Sequence, residues 1–159
     1  MSWEAIGAVG EVLGALAVFI TLLYLAAQIR QNNKMARFET TREIMAQFNA
    51  CNQLYATDAS IRFVLLKTEP LTPEESDQLY SYVDMYCNAL GTTQLAYQEG
   101  LVDEALYNNA TKDVEVALQR WPNFRAPAER WLRNYPEAAG STIFSAIACS
   151  ADTRASASS

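Results

Sequence analysis

The residue most at odds with its surroundings is Glu11, the one charge inside an otherwise uncharged, largely apolar run over residues 5–27. A carboxylate some four residues within a hydrocarbon-length segment is costly and faces protein or water rather than lipid. Two chemistries suit it. As one of a ring or pair at an oligomer axis, with Glu4 seven residues earlier on a similar face, it would bind protons or cations. As a shallow, snorkelling or protonated group it would only hydrogen-bond a neighbouring helix.

The other reactive side chains offer less. The chain has no His, which removes the commonest general base and metal ligand. Cys51, Cys87 and Cys149 lie far apart, without the spacing of a zinc or redox pair; they read as buried apolar thiols in a reducing compartment. Asp84 and Cys87 share a helical face, and that pair reads more simply as an acid beside a buried thiol. No phosphate loop, serine elbow, metal spacing or nucleotide fingerprint occurs, so neither enzyme chemistry nor a cofactor is expected.

Around Glu11 the spacing is that of a packing helix. Gly7, Gly10, Gly14, Ala17 and Thr21 recur at alternating steps of three and four, a seam of small residues containing a GxxxG pair. Small residues let backbones touch in lipid, so the seam predicts helix–helix association. Residues 5–27 reach roughly 34 Å as a helix, enough for a ~30 Å hydrocarbon core. Trp3 and Tyr24 stand near the two ends, where interfacial aromatics belong. The first basic residue, Arg30, follows the apolar run, so a cleaved signal peptide is not expected.

Arg30, Lys34, Arg37 and Arg42 all follow the span, and residues 1–4 contain no Lys or Arg. The positive-inside rule then places the N-terminus outside and the C-terminal part in the cytoplasm. Topology alone accounts for these cations, but Arg30, Lys34 and Arg37 would also meet anionic membrane lipid.

The net charge of −6 is distributed in blocks. Residues 30–67 hold six basic and three acidic side chains, a balance of +3. Residues 69–115 hold ten acids against Lys112, a balance of −9. Residues 120–133 return to +3. Blocks of this kind suit complementary helix flanks, within or between protomers. No basic stripe is free of nearby acid, which argues against nucleic acid as a partner.

The fold class expected is all-α: a single N-terminal transmembrane helix continuing into a long helix, packed with a cytoplasmic helical bundle. The predicted organisation is an anchor over 1–27, a helical domain over 28–149 and a disordered tail over 150–159. Residues 28–55 contain no Gly or Pro to stop the membrane helix. The seam read there is Phe38, Met45, Phe48 and Tyr55, diluted by Thr41 and Asn52, which suggests packing against partner helices.

Residues 57–60 break the rod before a short helix over 61–66. Thr72-Pro73-Glu74-Glu75 is a strong start signal for a helix to about residue 98, closed by Gly100. Its buried stripe is Leu79, Val83, Tyr86, Leu90, Thr93 and Tyr97, with Gly91 marking close contact with a neighbour. A helix over 102–121 buries Leu106, Ala110, Val114, Ala117, Leu118 and Trp121, and Pro122 ends it. Two shorter helices follow, over 126–134 and 141–149.

The run Trp3-Glu-Ala-Ile-Gly-Ala-Val-Gly-Glu-Val-Leu-Gly-Ala, then Tyr24-Leu-Ala-Ala-Gln-Ile-Arg-Gln-Asn, resembles a widespread group of uncharacterised bacterial proteins. These carry one N-terminal membrane helix and a helical cytoplasmic domain. Tyr97-Gln-Glu-Gly-Leu-Val-Asp-Glu and the later tryptophans are similar to that group's second half. The resemblance implies a bacterial inner membrane location and transfers no activity. The sequence thus favours a membrane-anchored homo-oligomeric scaffold or interaction protein, with another membrane protein as a further possible partner. A small ion channel or ion-responsive assembly around Glu11 is the alternative.

Overall fold

The computed structural model describes residues 3–148, without the side chains of residues 4–6. The Glu4 carboxylate, Cys149 and the tail over 150–159 therefore lie outside the described residues. Every regular element among them is helical: α1 (Trp3–Thr57), α2 (Ala59–Leu66), α3 (Pro73–Gln98), α4 (Glu104–Arg120) and α5 (Arg125–Asn134). A 3-10 turn, Pro136–Ala138, follows, and residues 145–148 are helical again. The chain divides into two compact units, Met1–Glu39 and Thr40–Ser159.

In the first unit every side chain described, from Gly7 to Glu39, is exposed. The helix that carries it is long enough and apolar enough to cross a membrane. Its most apolar 18-residue window has a mean hydropathy of 2.2 and buries none of its residues in the chain.

The second unit holds the core, and its helix ends are set locally. At the end of α1, Asp58 takes an extended backbone and accepts from the Ser60 amide at 2.8 Å, capping α2. Arg62 donates to the carbonyls of Tyr55 and Ala56 at 2.8 and 2.7 Å, satisfying acceptors that the end of α1 leaves free. The start of α3 is the expected capping box. Glu75 N–H donates to the Thr72 hydroxyl, Thr72 N–H donates to the Glu75 carboxylate, and Pro73 occupies the first turn. Lys67 adds an ion pair to the same carboxylate at 2.7 Å.

Gly100 closes α3 at φ 66°, a conformation that costs a side chain-bearing residue energy. Leu101 N–H reaches back to the Ala96 carbonyl and Gly100 N–H to the Tyr97 carbonyl, the paired bonds of a Schellman motif. Leu101 and Ala96 share a small cluster with Ile44 and Val102, the apolar contact such motifs carry. The next helix begins at Glu104, two residues later than the sequence suggests, because Asp103 leaves the helix to cap the Leu106 amide at 2.8 Å.

The large cluster joins the C-terminal part of α1, through Cys51, with α2, α3, α4, α5 and the C-terminal segment. Its centre is aromatic: Trp121 lies 5.3 Å from Tyr55, 6.1 Å from Tyr82 and Tyr86, and 5.8 Å from Phe124, between ring centroids. Such pairs add about 0.5–1.5 kcal/mol each beyond the area they bury. Asn123 ties the far end of this core to α2, donating to the carbonyls of Val64 at 2.7 Å and Lys67 at 2.8 Å.

Two expected stripes shift. On α1, Phe38 and Met45 are exposed; the buried positions are Ile44 and Cys51, with Phe48 and Tyr55 half-buried between them. The inward face within the chain is therefore 44-48-51-55, one position from the seam first read. On α3 the stripe holds through Thr93, but Ala96 is buried in place of Tyr97. Tyr97 instead stacks on Tyr107 at 4.1 Å, and Tyr107 donates to the Gln94 side chain at 2.7 Å.

Candidate functional site

Helical register brings the small residues of α1 together as expected. At about 100° per residue, Gly7, Gly10, Gly14, Ala17 and Thr21 fall within an arc of roughly 80°, and Glu11 flanks them. All six are exposed, and a Cβ added at Gly7, Gly10 or Gly14 would meet nothing within 4 Å. The Thr21 hydroxyl is used locally, donating to the Ala17 carbonyl at 2.8 Å. Arg30, Lys34 and Arg37 likewise share a face within roughly 60° and are exposed. Ion pairs among the described residues include Lys67–Glu75 and Arg130–Asp84, both in the second unit.

The Asp84–Cys87 pair does not form a reactive centre. Asp84 is turned to Arg130 at 2.8 Å, and that guanidinium also lies 3.8 Å over the Tyr80 ring. Cys87 is fully buried, and burial, with the Asp84 charge second, pushes its thiol far above the ordinary range. A thiol held protonated is a poor nucleophile. Cys51 is also buried and shifted the same way by the same cause.

Sequence reasoning missed a cleft of about 470 Å³ in the second unit, walled by α1 and α4 and floored by Tyr86 of α3. Asn49, Asn52 and Tyr55 come from α1; Asn109, Asp113 and Arg120 come from α4; Trp121 closes one end. Met45, Phe48 and Leu106 line it too and make it apolar towards the opposite end.

The charges within it are individual rather than paired. Partial burial raises the Asp113 carboxyl, and Asp113 in turn adds to the burial that raises the Tyr86 phenol. Arg120 lies 5.2 Å over the Tyr55 ring. Trp121 is 7% exposed, and its Nε1–H is buried with no acceptor among the described residues. A buried donor left unpaired costs about 1–3 kcal/mol and marks a place where an acceptor is missing. The one signal available beforehand was Asn52, which interrupts an apolar seam because it faces this cleft.

No three His, Cys, Asp or Glu side chains converge on a metal site among the described residues searched. Compared with protein-family models, curated proteins and solved structures, the chain matches none.

Proposed function

We propose that this protein is a membrane-anchored, homo-oligomeric scaffold or interaction protein of the bacterial inner membrane. Its N-terminus lies outside, and the domain from residue 40 onward lies in the cytoplasm. One observation carries the reading: among the described residues, the apolar part of α1 from Gly7 on buries no side chain in its own chain. Every backbone group of a helix is satisfied internally, so lipid can cover such a surface, and the small-residue seam gives a second copy a place to approach. The basic face at Arg30, Lys34 and Arg37 sets the orientation and meets anionic lipid.

The test is extraction and mass. The protein stays with membranes through an alkaline carbonate wash, and in mild detergent native mass spectrometry reads a multiple of 17.7 kDa. Release by the wash defeats the anchor; a monomer defeats the assembly. C-terminal fusions to a reporter active only in the periplasm stay dark.

Glu11, exposed within the apolar helix, favours a second reading, an ion-responsive assembly with the carboxylates at the axis. Glu11→Gln keeps the hydrogen-bonding shape and removes the charge. Under this second reading, cation flux across liposomes is lost in the variant while assembly persists. A wild type without conductance ends it.

A further inference from the structure

We propose that the cleft between α1 and α4 holds a short extended peptide segment of a partner protein, with the partner's main chain on the asparagines and a Lys or Arg side chain on Asp113. This deepens the interaction-protein reading, on which it rests, by stating what is bound and where.

Length comes first. Met45 and Tyr55 stand ten residues apart on one wall, about 15 Å along a helix, and Leu106 and Arg120 about 21 Å apart on the other. An extended chain rises about 3.3 Å per residue, so five or six residues fill that span. The chemistry of the wall comes second. Asn49, Asn52 and Asn109 each offer one acceptor and two donors, the complement of a peptide group. A wall meant for a folded helix would be apolar instead, because a helix turns no free amide or carbonyl outward along its length.

The groove is also polarised along its length. Asp113 is its lone carboxylate, set on the segment of the chain with the strongest excess of acid. At one end Arg120, held over the Tyr55 ring, is a donor suited to a carbonyl oxygen. At the other end Met45, Phe48 and Leu106 receive an apolar side chain. The occupant read from the walls is therefore a strand with an apolar residue at one end and a basic residue near its middle.

The test uses the full chain in detergent micelles on an array of immobilised hexapeptides, with every residue type at each position. Peptides with Lys or Arg at one fixed internal position bind at least tenfold above their Asp or Glu counterparts. Asp113→Asn, a near-isosteric change, reduces that preference to less than twofold. Asn109→Leu weakens basic and acidic peptides alike, since it removes main-chain contacts. The proposal is overturned by an array with no signal above background, or by a basic preference that Asp113→Asn leaves intact. It is also overturned if free lysine competes as well as a bound hexapeptide does. Membrane retention and oligomer mass are read on the same preparation. If they hold while the array stays dark, the peptide site fails and the scaffold reading stands.

Discussion

Helix α1 contributes a stretch to each of the two units, and the two stretches solve different problems with the same backbone. Over residues 7–39 it is exposed on all sides. Over residues 40–57 it gives up Ile44 and Cys51 to the core and keeps its remaining faces open or half-open. The difference is one of pattern rather than helix propensity. The first stretch has apolar residues on every face as far as Ile29, so no rotation hides them in water; the second gathers most of its large apolar residues towards one side, with Met45 left outside it. The first stretch is long and apolar enough to cross a membrane, and the second packs Ile44 and Cys51 into its own chain.

The largest expected effect sharpens that contrast. Phe124 is fully buried and packs 5.5 Å from Tyr86 and 5.8 Å from Trp121. Phe124→Ala costs about 3–5 kcal/mol, through lost transfer energy and the cavity left behind. Leu16, 52% exposed in the first region, has nothing to vacate. Leu16→Ala leaves the denaturation midpoint of the domain unchanged, within about 0.5 kcal/mol. Near-UV circular dichroism during urea unfolding reads both. A large loss from Leu16→Ala would show that the first region is part of the core after all.

Cysteine gives the next contrast, because burial changes what pH does to the domain. Burial raises the Cys51 and Cys87 thiols and the Tyr82 and Tyr86 phenols above their ordinary values. The unfolded chain therefore loses these protons first as pH climbs, and the folded state holds more of them. Stability is full below the unfolded thiol value and falls above it, by up to about 1.4 kcal/mol per buried thiol per pH unit. Domain stability is expected to decline from about pH 9, and a maleimide at pH 8 labels neither thiol until denaturant is added. Rapid native labelling of Cys87 would contradict its burial.

The parts of this fold legible in advance were those whose cause is local. The Thr72–Glu75 box, the stop at Gly100 and the break at Asp58 each satisfy helix-end groups with residues two to five positions away. The phase of α1 was not legible. Phe38 and Met45 outweigh Ile44 and Cys51 in size, and the choice between adjacent stripes is made by what α3 and α4 offer across the gap. The Asn123 bonds to Val64 and Lys67 span 59 and 56 residues, a separation without local signature. The cleft shares that origin: Asn49 and Asn52 of α1 and Asn109 and Asp113 of α4 become one site only when the fold brings them to the walls of one cleft.

Gly91 and Gly14 put the comparison at its narrowest, one glycine on a helix in each region. A Cβ at Gly91 would sit 3.2 Å from Cη2 of Trp131, whose ring is fixed by a 2.9 Å bond from Nε1–H to the Asn88 side chain and by stacking on Phe144. Gly91→Leu must displace that indole, so it destabilises the domain by about 1–3 kcal/mol despite Leu being the better helix former. At Gly14 a Cβ meets nothing within 4 Å, so within one chain Gly14→Leu costs nothing and gains helix propensity of a few tenths of a kcal/mol. If a second copy packs on the seam, the same Leu holds the two backbones apart. The expected result is unchanged membrane insertion, an unchanged unfolding midpoint for the domain and a smaller mass in detergent by native mass spectrometry. If the mass is unchanged as well, Gly14 faces lipid and the exposed seam has no partner. The two substitutions are chemically identical, so any difference between them measures only what stands opposite each glycine.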